Sequence, residues 1–161
     1  MLKRILSPPL IVALAAMCSG CIPADPEQAP IGVRVDSSTV SVLIPRCSTE
    51  KVVSAEIVEM TADVTPPVWT ATGFGGDLSH GIRLNGEDWS SVKGKYLGLA
   101  SIGITVNTDR WSYGTVLMDP KAWAAAEAAP EGSFLVDGTS MTPEKYQADV
   151  VSRFPCPKES S

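Results

Sequence analysis

The sequence predicts a mainly β domain: a two-layer antiparallel β-sandwich, immunoglobulin-like in architecture, with a short alanine-rich helix and a C-terminal helix. Three observations carry this. From residue 31 onward, apolar side chains recur at every second position in short runs, the period of a half-buried strand. The runs, roughly eight of them, are separated by clusters of Asp, Asn, Ser, Gly and Pro. Helix-start signals appear only late, at Asp119-Pro120 and Thr142-Pro143. A chain of 161 residues has room for one such domain and no second sizeable core.

The elements follow in order. Ile31, Val33 and Val35 alternate with Gly32, Arg34 and Asp36; after the turn Asp36-Ser37-Ser38 the alternation resumes at Val40, Val42 and Ile44 until Pro45. That pair reads as a hairpin. Residues 52–60 are a third β-rich run and 68–72 a fourth, behind Pro66-Pro67. Residues 73–95 hold Gly73, Gly75, Gly76, Gly81, Gly86 and Gly94 with little periodicity, so they read as loop with one short strand at 81–84, closed by Asn85-Gly86. Residues 96–106 form the longest apolar stretch; its glycines would each cost a helix ~1 kcal/mol, which favours a strand covered on both faces. Asn107-Thr108-Asp109 then turns the chain into an antiparallel partner at 111–118.

Asp119 caps a helix that begins at Pro120 and carries six alanines between Lys121 and Ala129, with Pro130 as its stop. Residues 133–136 are a last short strand ended by Asp137-Gly138. Thr142-Pro143-Glu144 opens the second helix, which places Tyr146, Val150 and Phe154 on one face and ends at Pro155.

The N-terminus has a different character. Lys3 and Arg4 precede an apolar stretch from Leu10 to Cys18, the layout of an export signal. That stretch is too short to cross a bilayer as a mature helix, which needs ~20 residues. Cys18-Ser19-Gly20-Cys21 follows, and two small residues directly before a cysteine resemble the lipobox of bacterial lipoproteins. The resemblance implies that Cys21 receives a diacylglyceryl group and becomes the first residue of the mature chain. Cys18 stands where that family usually has an aliphatic residue. Two acyl chains give stable membrane attachment where one is marginal.

The predicted organisation is therefore a cleaved signal at 1–20, a lipidated proline-rich tether at 21–30, a β-sandwich at 31–157 and a tail at 158–161. Pro23, Pro26 and Pro30 keep the tether extended, at ~3.1 Å per residue. The mature part also resembles a group of small uncharacterised actinobacterial lipoproteins with an early cysteine and one after the final helix. That resemblance implies no activity.

Charge and cysteine chemistry narrow the function classes. Removing 1–20 leaves 11 basic against 18 acidic side chains, which argues against nucleic acid and against clamping anionic head groups. With Cys21 acylated, Cys47 and Cys156 remain, and an even pair in an exported chain reads as a structural disulfide. It closes a loop of about 110 residues, for which chain entropy gives on the order of 4.7 kcal/mol.

Catalytic signals are few. His80 is the single histidine, with no Gly-x-Ser-x-Gly elbow and no third group placed by spacing, so no catalytic residue is assigned. Gly73-Phe74-Gly75-Gly76-Asp77 lacks the Gly-Lys-Ser/Thr ending of a phosphate loop. Asn85, Glu87 and Asp88 do not match the spacing of a calcium loop, and no metal or cofactor is expected. Trp69, Trp111 and Tyr113 fall at strand positions suited to the core, and Trp123 at a position that docks the first helix. Trp89, in Glu87-Asp88-Trp89-Ser90, is the expected exposed contact residue, with Asp88 beside it.

The resulting expectation is a lipid-anchored extracytoplasmic module, binding or structural, that meets an envelope protein or glycan. Two alternatives are an envelope polymer hydrolase using Asp77, Glu87 or Asp88, and a phage-encoded superinfection-exclusion lipoprotein.

Overall fold

The first alternating run pairs with the second as its pattern demands. β1 (Gly32–Asp36) and β2 (Thr39–Leu43) form an antiparallel hairpin in which Val33 stands opposite Val42 and Val35 opposite Val40. The computed structural model describes residues 29–37, 39–60, 66–117 and 119–154. The signal, Cys21, Cys156 and the tail lie outside the described residues.

Among the described residues ten strands build two antiparallel sheets, so the mainly β expectation holds. β3 (Val52–Glu59), β4 (Trp69–Phe74), β6 (Trp89–Gly94), β7 (Ile102–Thr108) and β8 (Ser112–Leu117) form sheet B in the order β6-β4-β3-β7-β8. Sheet A joins the first hairpin to β5 (Ile82–Arg83), β9 (Phe134–Val136) and β10 (Thr139–Met141) in the order β10-β9-β1-β2-β5. The sequence reading missed β10. Asp137 and Gly138 both take positive φ, 46° and 78°, the geometry of a two-residue hairpin turn whose twist suits the flanking strands. What reads as a strand end is the middle of a hairpin.

Two further boundaries differ from the pattern. Residues 73–95 are not one loop: β4 runs on to Phe74, a single 3-10 turn occupies Leu78–His80, and β6 begins at Trp89. The apolar stretch 96–106 is also divided, with Tyr96 outside any strand and β7 starting at Ile102. Gly94 explains the break after β6. Its φ is +85° and an added Cβ would stand 1.9 Å from the Val68 carbonyl oxygen, so the chain turns where only glycine fits.

The main core lies between the sheets. Val33, Val40, Val42, Ile82 and Leu84 of the sheet A side meet Ala55, Ile57, Trp69, Ile104, Val106 and Tyr113 of sheet B. The helix α1 (Pro120–Glu127), capped by Asp119 Oδ1 accepting from the Ala122 N–H at 2.7 Å, adds Ala126 to this core. Trp123 docks it through an indole N–H donated to the Ala100 carbonyl at 3.0 Å. A second cluster lies on the outer side of sheet A, where Leu43, Phe134 and Val136 meet Tyr146 and Val150. Tyr146 belongs to α2 (Pro143–Asp149), which ends short of Pro155; a 3-10 turn at Val151–Arg153 continues the chain. Ala29 is buried in the same cluster, and the Pro30 carbonyl accepts from the Tyr146 hydroxyl at 2.8 Å. These two residues, which the sequence places in the tether, belong to the folded domain.

Among the described residues one charged side chain sits deep in the interior. Glu50 is 2% exposed, and its carboxyl group accepts hydrogen bonds from the Tyr113 hydroxyl (3.0 Å), the Thr108 hydroxyl and the Cys47 N–H (3.0 Å). Among the described residues no buried side-chain polar atom lacks a partner. Removing this acceptor strands three donors, each costly to leave unpaired. Glu50→Ala should therefore destabilise the domain by about 2–4 kcal/mol and Tyr113→Phe by about 1 kcal/mol. In a denaturant series the double variant should lose less than the sum, because the two share one interaction.

Candidate functional site

Trp89 is not the exposed residue that its polar neighbours suggest. It opens β6, is 6% exposed, and donates its indole N–H to the Arg83 carbonyl at 2.9 Å. Its ring meets Trp69 edge-on at 6.2 Å and Phe74 at 5.0 Å, and Trp69 in turn meets Tyr96 at 5.7 Å. This chain of edge-to-face contacts fills one end of the inter-sheet core. Asp88 is likewise committed: both its oxygens accept from the Arg83 guanidinium, at 2.7 and 2.8 Å. The pair expected to face a partner instead fastens β5 to β6.

The outward-facing residues of sheet A form a better candidate. Strand parity sends Val33, Val40, Val42 and Ile82 inward, so Arg34, Ser41 and Arg83 share one outward row, Arg34 opposite Ser41 and Ser41 opposite Arg83. α2 covers the other half of this face through Leu43, Phe134 and Val136. Beside it remains an open groove of about 290 Å³ whose polar lining is Arg34, Asp36, Ser41, His80, Arg83 and Glu131. A second depression of about 540 Å³ adjoins it at Pro143 and adds Arg46, Asp77 and Glu144.

The charges in this region are held in place. Arg34 forms a two-pronged pair with Asp36 at 2.7 and 2.8 Å, which raises the already high pKa of its guanidinium. Asp77 caps the 3-10 turn; the Ser79 hydroxyl (2.6 Å) and N–H (2.9 Å) hold its carboxyl below the usual range, and nearby His80 acts in the same direction. Glu144 is lowered by its own backbone N–H and by the Thr142 hydroxyl. His80 itself is exposed at the end of the 3-10 turn.

This electrostatic pattern bears on hydrolysis. Cleavage of a glycosidic bond by two carboxyl groups needs one of them kept protonated, with a raised pKa. Asp77 and Glu144 are shifted the other way, and Asp88 and Glu87 are bound up with Arg83, Glu87 at 3.6 Å. Among the described residues no three His, Cys, Asp or Glu side chains converge as metal ligands. Asn85 turns its side-chain oxygen to the Glu87 N–H at 3.2 Å, within its own loop.

Cys47 is buried in the connection between β2 and β3. The sequence reading found His80 and Asp77 but not Arg34, Ser41 or Glu131. Arg34 and Ser41 were open to discovery, as the polar phase of two strands whose apolar phase was recognised. Glu131 was not, because the turn after Pro130 carries no periodicity. No protein-family model, curated protein or solved structure matches this chain.

The corrected place of Trp89 is testable. Trp89→Ala should cost about 3–5 kcal/mol of stability, as removal of a large core ring does. A thermal midpoint unchanged by the substitution would return Trp89 to the surface.

Proposed function

We propose that the mature chain is a non-enzymatic binding module, lipid-anchored through Cys21 on the extracytoplasmic face of a bacterial membrane, and that the groove of sheet A receives a segment of another envelope protein. One observation carries the reading. The open groove gathers charges of both signs, from Arg34, Arg83, Asp36 and Glu131, beside His80. The tryptophans that would stack on a sugar are withdrawn, with Trp69 and Trp89 buried and Trp111 and Trp123 half-buried against the core. A polypeptide supplies hydrogen-bonding groups and charges of both signs; a glycan face asks for an exposed aromatic platform.

The anchor fits the position of the groove. Ala29, the first described residue, packs on the outer side of sheet A, the side on which the groove opens. Residues 22–28 would then span ~22 Å if extended at ~3.1 Å per residue, and the groove would look onto the space between domain and bilayer. No helix of the described residues is long and apolar enough to cross a membrane.

A photo-crosslinking residue in place of His80, in the full chain expressed in a bacterial host of origin, should capture a discrete envelope protein. Arg34→Ala should abolish that adduct, and Cys21→Ser should abolish it by releasing the chain from the membrane fraction. Crosslinking to cell-wall polymer, or an adduct indifferent to Arg34→Ala, would sink the reading.

We also propose that Cys47 pairs with Cys156. The burial of Cys47 supports the pairing, as does the position of Phe154, packed against the α2 cluster just before Cys156. Cys47→Ser and Cys156→Ser should each cost about 2–5 kcal/mol, and the double variant no more than either. Additive losses in a denaturant series would show that the two cysteines act independently.

A further inference from the structure

The two sheets have four edges, and three of them are blunted against pairing. β10 has three residues and β5 two, while β6 carries Lys93 and ends at the positive-φ Gly94. β8 differs. It runs for six residues, Ser112–Leu117, with no charge and no proline. Natural edges usually carry such safeguards, because a free row of N–H and C=O groups is a template for another strand.

The pairing phase identifies which groups are free. The Thr108 N–H donates to the Trp111 carbonyl at 2.8 Å, and the register continues through Val106–Tyr113, Ile104–Thr115 and Ile102–Leu117. Tyr113, Thr115 and Leu117 therefore commit their backbone groups to β7. Ser112, Gly114 and Val116 present theirs to the open edge, and all three residues are exposed, Val116 at 47%. Among the described residues no backbone hydrogen bond from another element reaches them. α1, which follows β8, packs against β1 and β9.

Gly114 is the second observation. Its φ is not positive, and an added Cβ would meet only the Ile104 carbonyl oxygen, at an ordinary 3.8 Å. Nothing inside the chain asks for glycine there. A glycine in mid-strand weakens the strand and marks a place where another backbone comes close.

We infer that β8 is the docking edge for a second copy of this chain, paired antiparallel about Gly114. In that register Gly114 faces its own counterpart, and Ser112 of each copy faces Val116 of the other. All three outward residues meet an outward residue, so each pair exchanges both backbone hydrogen bonds. The two copies extend sheet B into one continuous ten-stranded sheet. The contact is self-complementary because the free residues lie symmetrically about Gly114. Its two-fold axis stands perpendicular to the sheet, so the Ala29 ends of both copies point the same way. The pairing does not depend on the groove reading or on the lipid anchor.

Cysteine crosslinking in cells expressing the full chain tests this. Antiparallel partners that exchange both hydrogen bonds stand ~5.5 Å apart at Cα, within disulfide reach. Gly114→Cys should give a disulfide-linked dimer on non-reducing gels. Ser91→Cys, an exposed position on the opposite edge strand β6, should give none. Adding Val116→Lys to Gly114→Cys should remove the dimer and leave the thermal midpoint near that of Gly114→Cys alone. Equal dimer from both single cysteines, no dimer from Gly114→Cys, or a dimer that survives Val116→Lys would overturn the inference.

Discussion

The Glu50 carboxyl group is the interaction on which the rest of the architecture turns. The chain crosses from sheet A to sheet B between Leu43 and Val52, and a crossing of this kind is where two layers can slip relative to one another. Glu50 prevents the slip by accepting from Cys47 in the crossing itself and from Thr108 and Tyr113 on β7 and β8. A group only 2% exposed holds its place only with its hydrogen bonds made, so the geometry is specified from three directions at once. The Lys51 N–H donating to Asp109 and the Asp109 N–H donating to Lys51 reinforce the same junction. Thr108 extends the network into the β7–β8 turn, where its hydroxyl oxygen accepts from the Arg110 and Trp111 N–H groups.

A second polar tie closes another part of the sandwich. The Tyr96 hydroxyl accepts from the Val40 N–H at 3.2 Å and donates to the Leu84 carbonyl at 2.5 Å, while its ring stands edge-on to Trp69. Burial raises the pKa of this phenol, partly offset by the Val40 N–H, so it remains a donor. With the two sheets held by Glu50 and Tyr96, the inter-sheet core needs no polar contribution from the strands' outer phases. Those phases face away from the inter-sheet core: the Arg34, Ser41 and Arg83 row on one side, and Ser112, Gly114 and Val116 at the edge of the other.

Both candidate contact surfaces follow from that division of labour. Neither lies where polar sequence alone would place it. Glu87, Asp88 and Ser90 surround Trp89 with polarity, yet Asp88 turns to Arg83 and the indole turns inward. An ion pair beside an aromatic residue can mark a partner-binding loop or a fastened strand junction, and only the position of Arg83 tells them apart.

By itself, the sequence determined what depends on local chemistry. Period-two alternation yields β1 and β2, because a strand facing one core must present every second side chain to it, and a β-rich run and a turn signal yield β3 and β8. Asp119 with Pro120 and Thr142 with Pro143 yield the starts of both helices, because an N-cap oxygen and a preset φ act within one turn. Tertiary structure alone decided the rest. The division of residues 73–95 into β4, a 3-10 turn, β5 and β6 rests on pairing partners far away in sequence, since a two-residue strand such as β5 exists only because β2 is beside it. The burial of Trp89, the role of Glu50, the groove between Arg34 and Glu131 and the open edge at Gly114 all depend on which elements become neighbours. Sequence spacing does not encode that, because hydrogen-bond partners 50 or more residues apart, such as Glu50 and Tyr113, meet only when the sheets close.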